Sequence, residues 1–311
     1  MSGSEPERPD PYRTTHGERL VPPHPSQIDL HTHTDRSDGL LPPARLVAEA
    51  AAVGVRLLAI TDHDTLAGFR DLPASDRPPI VIPGVEINSV AEAIEGLREG
   101  ELHILGLGVD PDDEAFEAIL TEQRARRVER FFRIVRRLRS LGLSIDDQVA
   151  GLEPAAGASL GRPQLARLLV AAGHAASVDD AMARILGRGR PGYEPRAGIG
   201  PDAAIRAIRA AGGLAVLAHF AEANERRNLV AELKELGLGG LEVHYRHFSV
   251  ATITALQQVA RELSLVPTGG SDYHGDRETY AEAHAALYVP DGVAELLHAA
   301  LRRSAGLTTS E

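Results

Sequence analysis

The sequence predicts an α/β fold, a mostly parallel sheet closed as a barrel and carrying a helical insertion. Three observations predict it. From about Ile28 onward, short apolar runs alternate with helical stretches. Between Glu114 and Arg196 that alternation stops and the pattern is helical throughout. Histidines and carboxylates gather where apolar runs hand over to loops, the end of a barrel at which sites are assembled. With 311 residues and 43% hydrophobic content, the chain can bury a sizeable core.

The elements follow in order. Residues 1–26 mix Pro, Glu, Arg and Ser without an apolar segment, which predicts a disordered leader and no secretory signal. The barrel is expected over 27–113 and 197–311, interrupted by a helical insertion over 114–196. Ile28–Leu30 reads as the first strand, and Pro42-Pro43 opens a helix that runs through Val53. Leu57–Ile60 leads into Thr61-Asp62-His63-Asp64. Ile80–Ile82 and Val85–Ile87 flank Pro83-Gly84, and Leu102–Val109 follows. After the insertion, a helix over Pro201–Ala211 precedes a strand over Leu214–Ala218, which ends at His219. Helix Leu229–Leu236 precedes Leu241–Val243, and helix Val250–Leu263 precedes Leu265–Thr268.

Composition narrows the chemistry. Cysteine is absent, so disulfides and thiolate metal sites are excluded, and any metal must sit on nitrogen and oxygen donors, which suit Mn, Fe or Zn. A formal net charge of -11 argues against coating long duplex nucleic acid. No run reaches membrane-spanning length, and the cytoplasm is the expected location. One stretch departs from the acidic balance. Arg124 to Arg139 holds eight arginines and a single acid, Glu129, within a helical pattern. Val128, Phe131, Phe132, Val135 and Leu138 form an apolar stripe there. Arg126, Arg130, Arg133 and Arg137 fall opposite, with Arg127 at the border. Such a face is either a solvated surface or a place where one or two arginines capture an anion.

Five short segments carry the site: Asp29-Leu30-His31-Thr32-His33 with Ser37-Asp38-Gly39, Thr61-Asp62-His63-Asp64, Gly84-Val85-Glu86-Ile87, Leu102-His103-Ile104, and Ser271-Asp272-Tyr273-His274. On an extended segment, His31 and His33 project to the same side, as two ligands of one ion require. Four further segments ending in His, Asp or Glu make a multi-metal site the expected reading. Asp62 and Asp64 read as turn residues that orient His63 or its loop. Divalent ions held close together suit phosphate ester hydrolysis, because they stabilise charge on the phosphoryl oxygens and make a bridging hydroxide available near neutral pH.

These strings, with Ala218-His219, resemble the PHP (polymerase and histidinol phosphatase) phosphoesterases over roughly residues 28 to 290. The likeness is greatest to a bacterial branch that cleaves nucleotide 3′,5′-bisphosphates and degrades short RNA from its 5′ end. Gly161-Arg162-Pro163, Ala166-Arg167 and the stretch 187–195 resemble that branch's insertion. The resemblance implies a distorted (β/α)7 barrel and two to three divalent ions. By it, His31, His33, Glu86 and Asp272 hold one ion. Glu86 bridges to a second held by His103 and His219, and Asp38, His63 and His274 take the third. Phe220 departs from the proline common in the family.

By the same resemblance, Arg127, Arg130, Arg162 and Arg190 are candidates to grip a substrate phosphate, Tyr193 to stack on a base, and His247 to line the pocket. Asp272, His219, Glu86, Arg127 and Arg130 are the residues expected to take part in the chemistry. The expected activity is a metal-dependent phosphoesterase acting on 3′,5′-bisphosphate nucleotides or short 5′-phosphorylated RNA. The alternatives are a phosphatase for histidinol phosphate or another small metabolite, or a cyclic phosphodiesterase. A metal-free interaction module is disfavoured, since none of the nine ligand positions is missing. The expected partner is a small phosphorylated substrate, with no long duplex and no membrane; oligomeric state stays open.

Overall fold

The computed structural model describes residues 25–97, 100–152 and 156–304. Seven strands form one sheet in sequence order: β1 (Ile28–Asp29), β2 (Leu57–Ile60), β3 (Ile80–Val90), β4 (Glu101–Leu107), β5 (Leu214–Leu217), β6 (Gly240–Tyr245) and β7 (Val266–Gly270). The two edges meet. Leu30 N–H donates to Gly269 O at 3.1 Å, and a parallel bridge joins Thr32 to Tyr273, so the sheet is a nearly closed barrel. The leader expected over residues 1–26 lies outside the described residues except for its end. Ser26 is buried, and its carbonyl bonds His284 at 2.8 Å.

Parallel pairing predominates, with one reversal. β1, β2 and the first half of β3 run parallel, as do β5, β6 and β7, but β4 is antiparallel to both of its neighbours. The sequence suggested two apolar runs around Pro83-Gly84; they are one strand that changes partner. Ile80 to Pro83 pair with β2, and Gly84 to Val90 pair with β4. Gly84 sits at the handover because a Cβ there would come within 2.8 Å of Ile60 O and Thr61 Cγ2. β2 and β5 are buried along their whole length, as strands covered on both faces are.

The stretch 114–196 is helical as expected, apart from loops and a π-helical turn at Met182–Leu186. Its first helix, Glu114–Ser140, starts at Asp113, whose carboxylate accepts the Phe116 N–H at 2.8 Å. Phe116 and Leu120 pack into the barrel core, whereas Phe131, Ile134, Val135 and Leu138 join Leu165, Leu169 and Leu186 in a separate apolar cluster. The stripe read from the sequence needs correcting. Val128 and Phe132 are 37% and 41% exposed, and Arg127 and Arg130 are 6% and 5% exposed. The periodicity of apolar residues placed these arginines at or beyond the solvent edge. Buried carboxylates that face the helix turn them inward. No helix among the described residues is long and apolar enough to cross a membrane.

Candidate metal centre

The nine predicted ligands converge at one mouth of the barrel. Most come from strand ends, as expected. His103 instead lies at the start of β4, which reaches the same mouth because it is reversed, and Glu86 lies within the long β3. Alternation along β3 and β4 sends Glu86 and Asn88, and Glu101 and His103, to common faces. The segments 61–64 and 29–33 continue the ladder: Asp64 N–H donates to Glu86 O at 3.0 Å, and His33 N–H to Tyr273 O at 3.0 Å. Asp62 holds the loop that carries Asp38, accepting from Thr34 N–H at 2.8 Å and Ser37 Oγ at 2.6 Å.

The side chains fall into three groups, in each of which the potential ligand atoms lie within 4.8 Å of one another: His31, His33, Glu86 and Asp272; Glu86, His103 and His219; and His33, Asp38, His63 and His274. Glu86 joins the first two through different oxygens. Its Oε2 lies 3.2 Å from His31 Nε2 and 3.1 Å from His33 Nε2, and its Oε1 lies 2.6 Å from His103 Nδ1 and 3.1 Å from His219 Nε2. Asp38 Oδ1 is 3.2 Å from His274 Nε2, and Oδ2 is 3.4 Å from His63 Nε2.

Two features test whether metals fit. His33 Nε2, His63 Nδ1 and Asp38 Oδ1 are buried without a hydrogen-bond partner among the described residues, although carboxylates or imidazoles surround them. Donor atoms that converge without bonding one another suit a cation between them. Electrostatics agree. Burial would push the Glu86 carboxyl up, but His63, His103 and His31 hold it well below the usual carboxylate range. Burial would lower His33, yet Asp272 and Glu86 raise it to about 10. Three buried carboxylates at one point demand positive charge, which protons or metal ions can supply.

Sequence reasoning missed Glu242. Fully buried on β6, it lies 3.0 Å from His31 Nδ1 through Oε1 and accepts the His219 N–H at 2.7 Å through Oε2. A lone acid inside an apolar strand was its signal. Backbone strain also concentrates here. Asp64, His219 and Asp272 have φ of 52°, 32° and 50°, three of the four non-glycine residues with positive φ among those described. Phe220, the departure from the family pattern, is buried in the barrel core.

Beside the ligands opens a cavity of about 370 Å³, lined on one wall by Asn88, Arg127, Arg162 and Arg196. Arg127 donates through Nε to Asp64 and through Nη2 to Asn88. Glu101, two residues before His103, lies 3.0 Å from Arg196 Nε, 3.9 Å from Arg130 Nη1 and 4.0 Å from Arg162 Nη2. Arg130 Nη2 is buried without a hydrogen-bond partner among the described residues. Burial, with Arg196 and Arg162 nearby, lowers Arg130 to about 9, and burial with Arg127 nearby lowers Arg196 to about 10. Guanidinium groups stay charged at physiological pH, so the shifts express burial first and crowded positive charge second.

The other predicted contacts divide. Arg190 is exposed and lies off the cavity wall. Tyr193 faces Arg130, with its ring centroid 5.7 Å from the guanidinium carbon. His247 is exposed on an adjoining groove, edge-on to Tyr245. Arg196 and Glu101 were not anticipated. For Glu101 the signal was its two-residue spacing from His103; Arg196, in a loop after the helices, had none.

Known proteins show where this arrangement recurs. The chain is 36% identical to the 5′-3′ exoribonuclease Rnm of Salmonella typhimurium over 273 residues, covering 85% of this chain and 90% of the relative. It is 30% identical to a 3′,5′-nucleoside bisphosphate phosphatase of Chromobacterium violaceum, covering 81% of this chain and 89% of that one. A candidate metal-dependent phosphoesterase from Bifidobacterium adolescentis superposes with a TM-score of 0.76 at 29% identity, covering 90% of this chain and 98% of the other. The family model for the PHP domain matches residues 29–185. With a barrel of this topology, and His, Asp and Glu clusters able to hold metals at its mouth, the chain belongs to the PHP family of metal-dependent phosphoesterases.

Proposed function

We propose that the chain hydrolyses the 3′-phosphate ester of nucleotides that also carry a 5′-phosphate, either 3′,5′-bisphosphates or short 5′-phosphorylated RNA. The observation that carries this reading is the cluster of four arginines beside the metal-ligand groups: Arg127, Arg162 and Arg196 line the cavity, Arg130 adjoins them, and Asp64 and Glu101 lie among them. Clustered guanidinium groups beside a phosphate-cleaving centre suit a second phosphate, because guanidinium forks bind phosphate oxygens in pairs. A small-metabolite monoester has no group for that wall.

In this reading His31, His33, Glu86 and Asp272 hold one divalent ion, Glu86, His103 and His219 a second, and Asp38, His63 and His274 a third. When bound, Mn, Fe or Zn ions supply Lewis-acid stabilisation of the phosphoryl charge and a water of lowered pKa. Glu242 fixes the His31 ring and the His219 backbone. Tyr245 donates to Asp272 Oδ2 at 3.2 Å and holds that carboxylate in place. The arginine wall orients the nucleotide so that its 3′-phosphate meets the ligand groups. The helical segment 114–196 acts as a cap domain that brings the arginines to the barrel. Nucleotide substrates accord with the cytoplasmic location expected from composition.

The test compares kcat/KM for adenosine 3′,5′-bisphosphate, adenosine monophosphate and histidinol phosphate after Mn²⁺ reconstitution. The bisphosphate is expected to be best by about tenfold or more, the worth of one charge-assisted contact. Histidinol phosphate as the best substrate by that margin would overturn the reading.

A further inference from the structure

The three ligand groups are not equally supported by the sheet. Around the first, Asp272 N–H donates to His31 O at 2.7 Å and His33 N–H to Tyr273 O at 3.0 Å, so backbone bonds hold its members across the barrel seam. In the third, Asp38 lies in a turn beyond β1 and His274 just beyond β7. These two ligands come from opposite ends of the chain, and Leu40 N–H joins their loops by donating to His274 O at 2.9 Å. Gly275 then turns the chain beside Leu40 with φ of 91°, a conformation open to glycine, and Asp276 follows.

One side chain outside the barrel grips both loops. Arg167 stands on the helix Arg162–Ala171 of the helical segment. Its Nε and Nη2 donate to the two carboxylate oxygens of Asp276 at 2.6 Å each, and Nη2 also donates to the carbonyl of Asp38. A single guanidinium therefore spans from a ligand residue to the second residue after another ligand. A planar fork fixes angle as well as distance, which an ammonium cannot do. The neighbouring bridge between the same two bodies, Arg277 to Asp179, is different. Its side chains are 64% and 63% exposed, and among the described residues neither bonds the Asp38 loop.

We propose that Arg167 is a positioning residue for the ion of Asp38, His63 and His274, setting the separation of Asp38 and His274 from the helical segment. The proposal rests on the three-ion reading given above. Ligands on two untethered loops must lose conformational freedom when an ion binds, and that cost is subtracted from affinity. The Arg167 fork removes the cost beforehand. The first two groups need no such clamp. Backbone bonds across the seam already hold His31, His33 and Asp272, and His103 and His219 lie on other segments that Arg167 does not bond. The helical segment thereby decides whether the third ion is bound, while the other two depend on the barrel.

The experiment dialyses the full chain, stripped of metal, against graded Mn²⁺ and counts bound ions by elemental analysis for wild type, Arg167→Ala, Arg167→Lys and Arg277→Ala. Wild type should take up three ions per chain. Arg167→Ala should bind two of them with unchanged affinity and the third about 10- to 100-fold more weakly, the usual effect of losing a partner that orients a ligand. Arg167→Lys keeps the charge but gives up the fork, so it should weaken the same ion, and it carries the test if the alanine variant does not fold. Arg277→Ala breaks the neighbouring bridge and should keep all three ions. A third ion held as tightly by the Arg167 variants as by wild type, an equal weakening of all three ions, or the same loss in Arg277→Ala would each overturn the positioning role alone. A wild type that takes up fewer than three ions would overturn the three-ion reading, and the role of Arg167 with it.

Discussion

Glu86 has the most neighbours at stake of any side chain in the centre, because its Oε2 faces His31, His33 and His63 and its Oε1 faces His103 and His219. Glu86→Ala should lower turnover by at least about a hundredfold, the scale of lost transition-state electrostatics, and should cut metal content measured by elemental analysis. Glu242 acts one step removed. Glu242→Gln replaces an acceptor by a donor opposite His31 or the His219 N–H, and Mn²⁺ affinity followed by calorimetric titration should fall about 10- to 100-fold. The arginines differ from each other. Arg130 has a buried Nη2 without a hydrogen-bond partner among the described residues, so Arg130→Ala should cost about tenfold or more in kcat/KM on bisphosphates. Arg127 is bound to Asp64 and Asn88, and its loss leaves a fully buried carboxylate with only the more distant Arg196, at 4.0 Å, as an ion-pair partner among the described residues. Arg127→Ala should therefore destabilise the protein by about 3 kcal/mol in urea unfolding, beyond its effect on rate.

At the scale of elements, barrel closure depends on a close approach. A Cβ on Gly270 would stand 2.5 Å from His31 N and 2.9 Å from His31 Cα, so β7 fits against the segment after β1 only without a side chain. Gly270→Ala should lower Tm by several degrees and reduce metal uptake with it, since His31 must shift. Much of this architecture was legible. The ends of β1, β2, β5 and β7 announced themselves as apolar runs closing on His, Asp or Thr, and the nine ligand positions came with them. Two things were not legible. The reversal of β4 depends on which neighbours it pairs with, and an apolar run reads the same in either direction. The buried side of the Glu114–Ser140 helix was misjudged because Val128 and Phe132 keep helical spacing with Phe131 and Val135. What turns Arg127 and Arg130 inward is Asp64 and Glu101, distant in sequence and visible only once β4 is placed.

Taken whole, the molecule ties the helical segment to the loop that carries Asp38. Gln164 donates to Ser37 O, Arg167 Nη2 lies 2.5 Å from Asp38 O, and Ser159 N–H donates to Arg36 O at 2.8 Å. Occupancy of the centre and seating of this segment should be coupled. Chelation should lower Tm and Mn²⁺ should restore it, with a concentration dependence that reports the affinity, because a ligand bound only by the folded state stabilises it by mass action. The reversed β4 has a further effect. It begins at the site and finishes beside Leu214, so the chain leaves it at the far mouth. The Glu114–Ser140 helix must climb back along the barrel, and its 27 residues, about 40 Å, make it a ruler. Its pitch sets both the height and the bearing at which Arg127 and Arg130 arrive. One residue added between Leu120 and Gln123 would swing them about 100° around the axis, and four would bring the bearing back to within about 40° but overshoot by about 6 Å. If these arginines grip a substrate phosphate as proposed, the length of this helix specifies substrate geometry, and variation there would be read out as a change in how far apart two phosphates must lie.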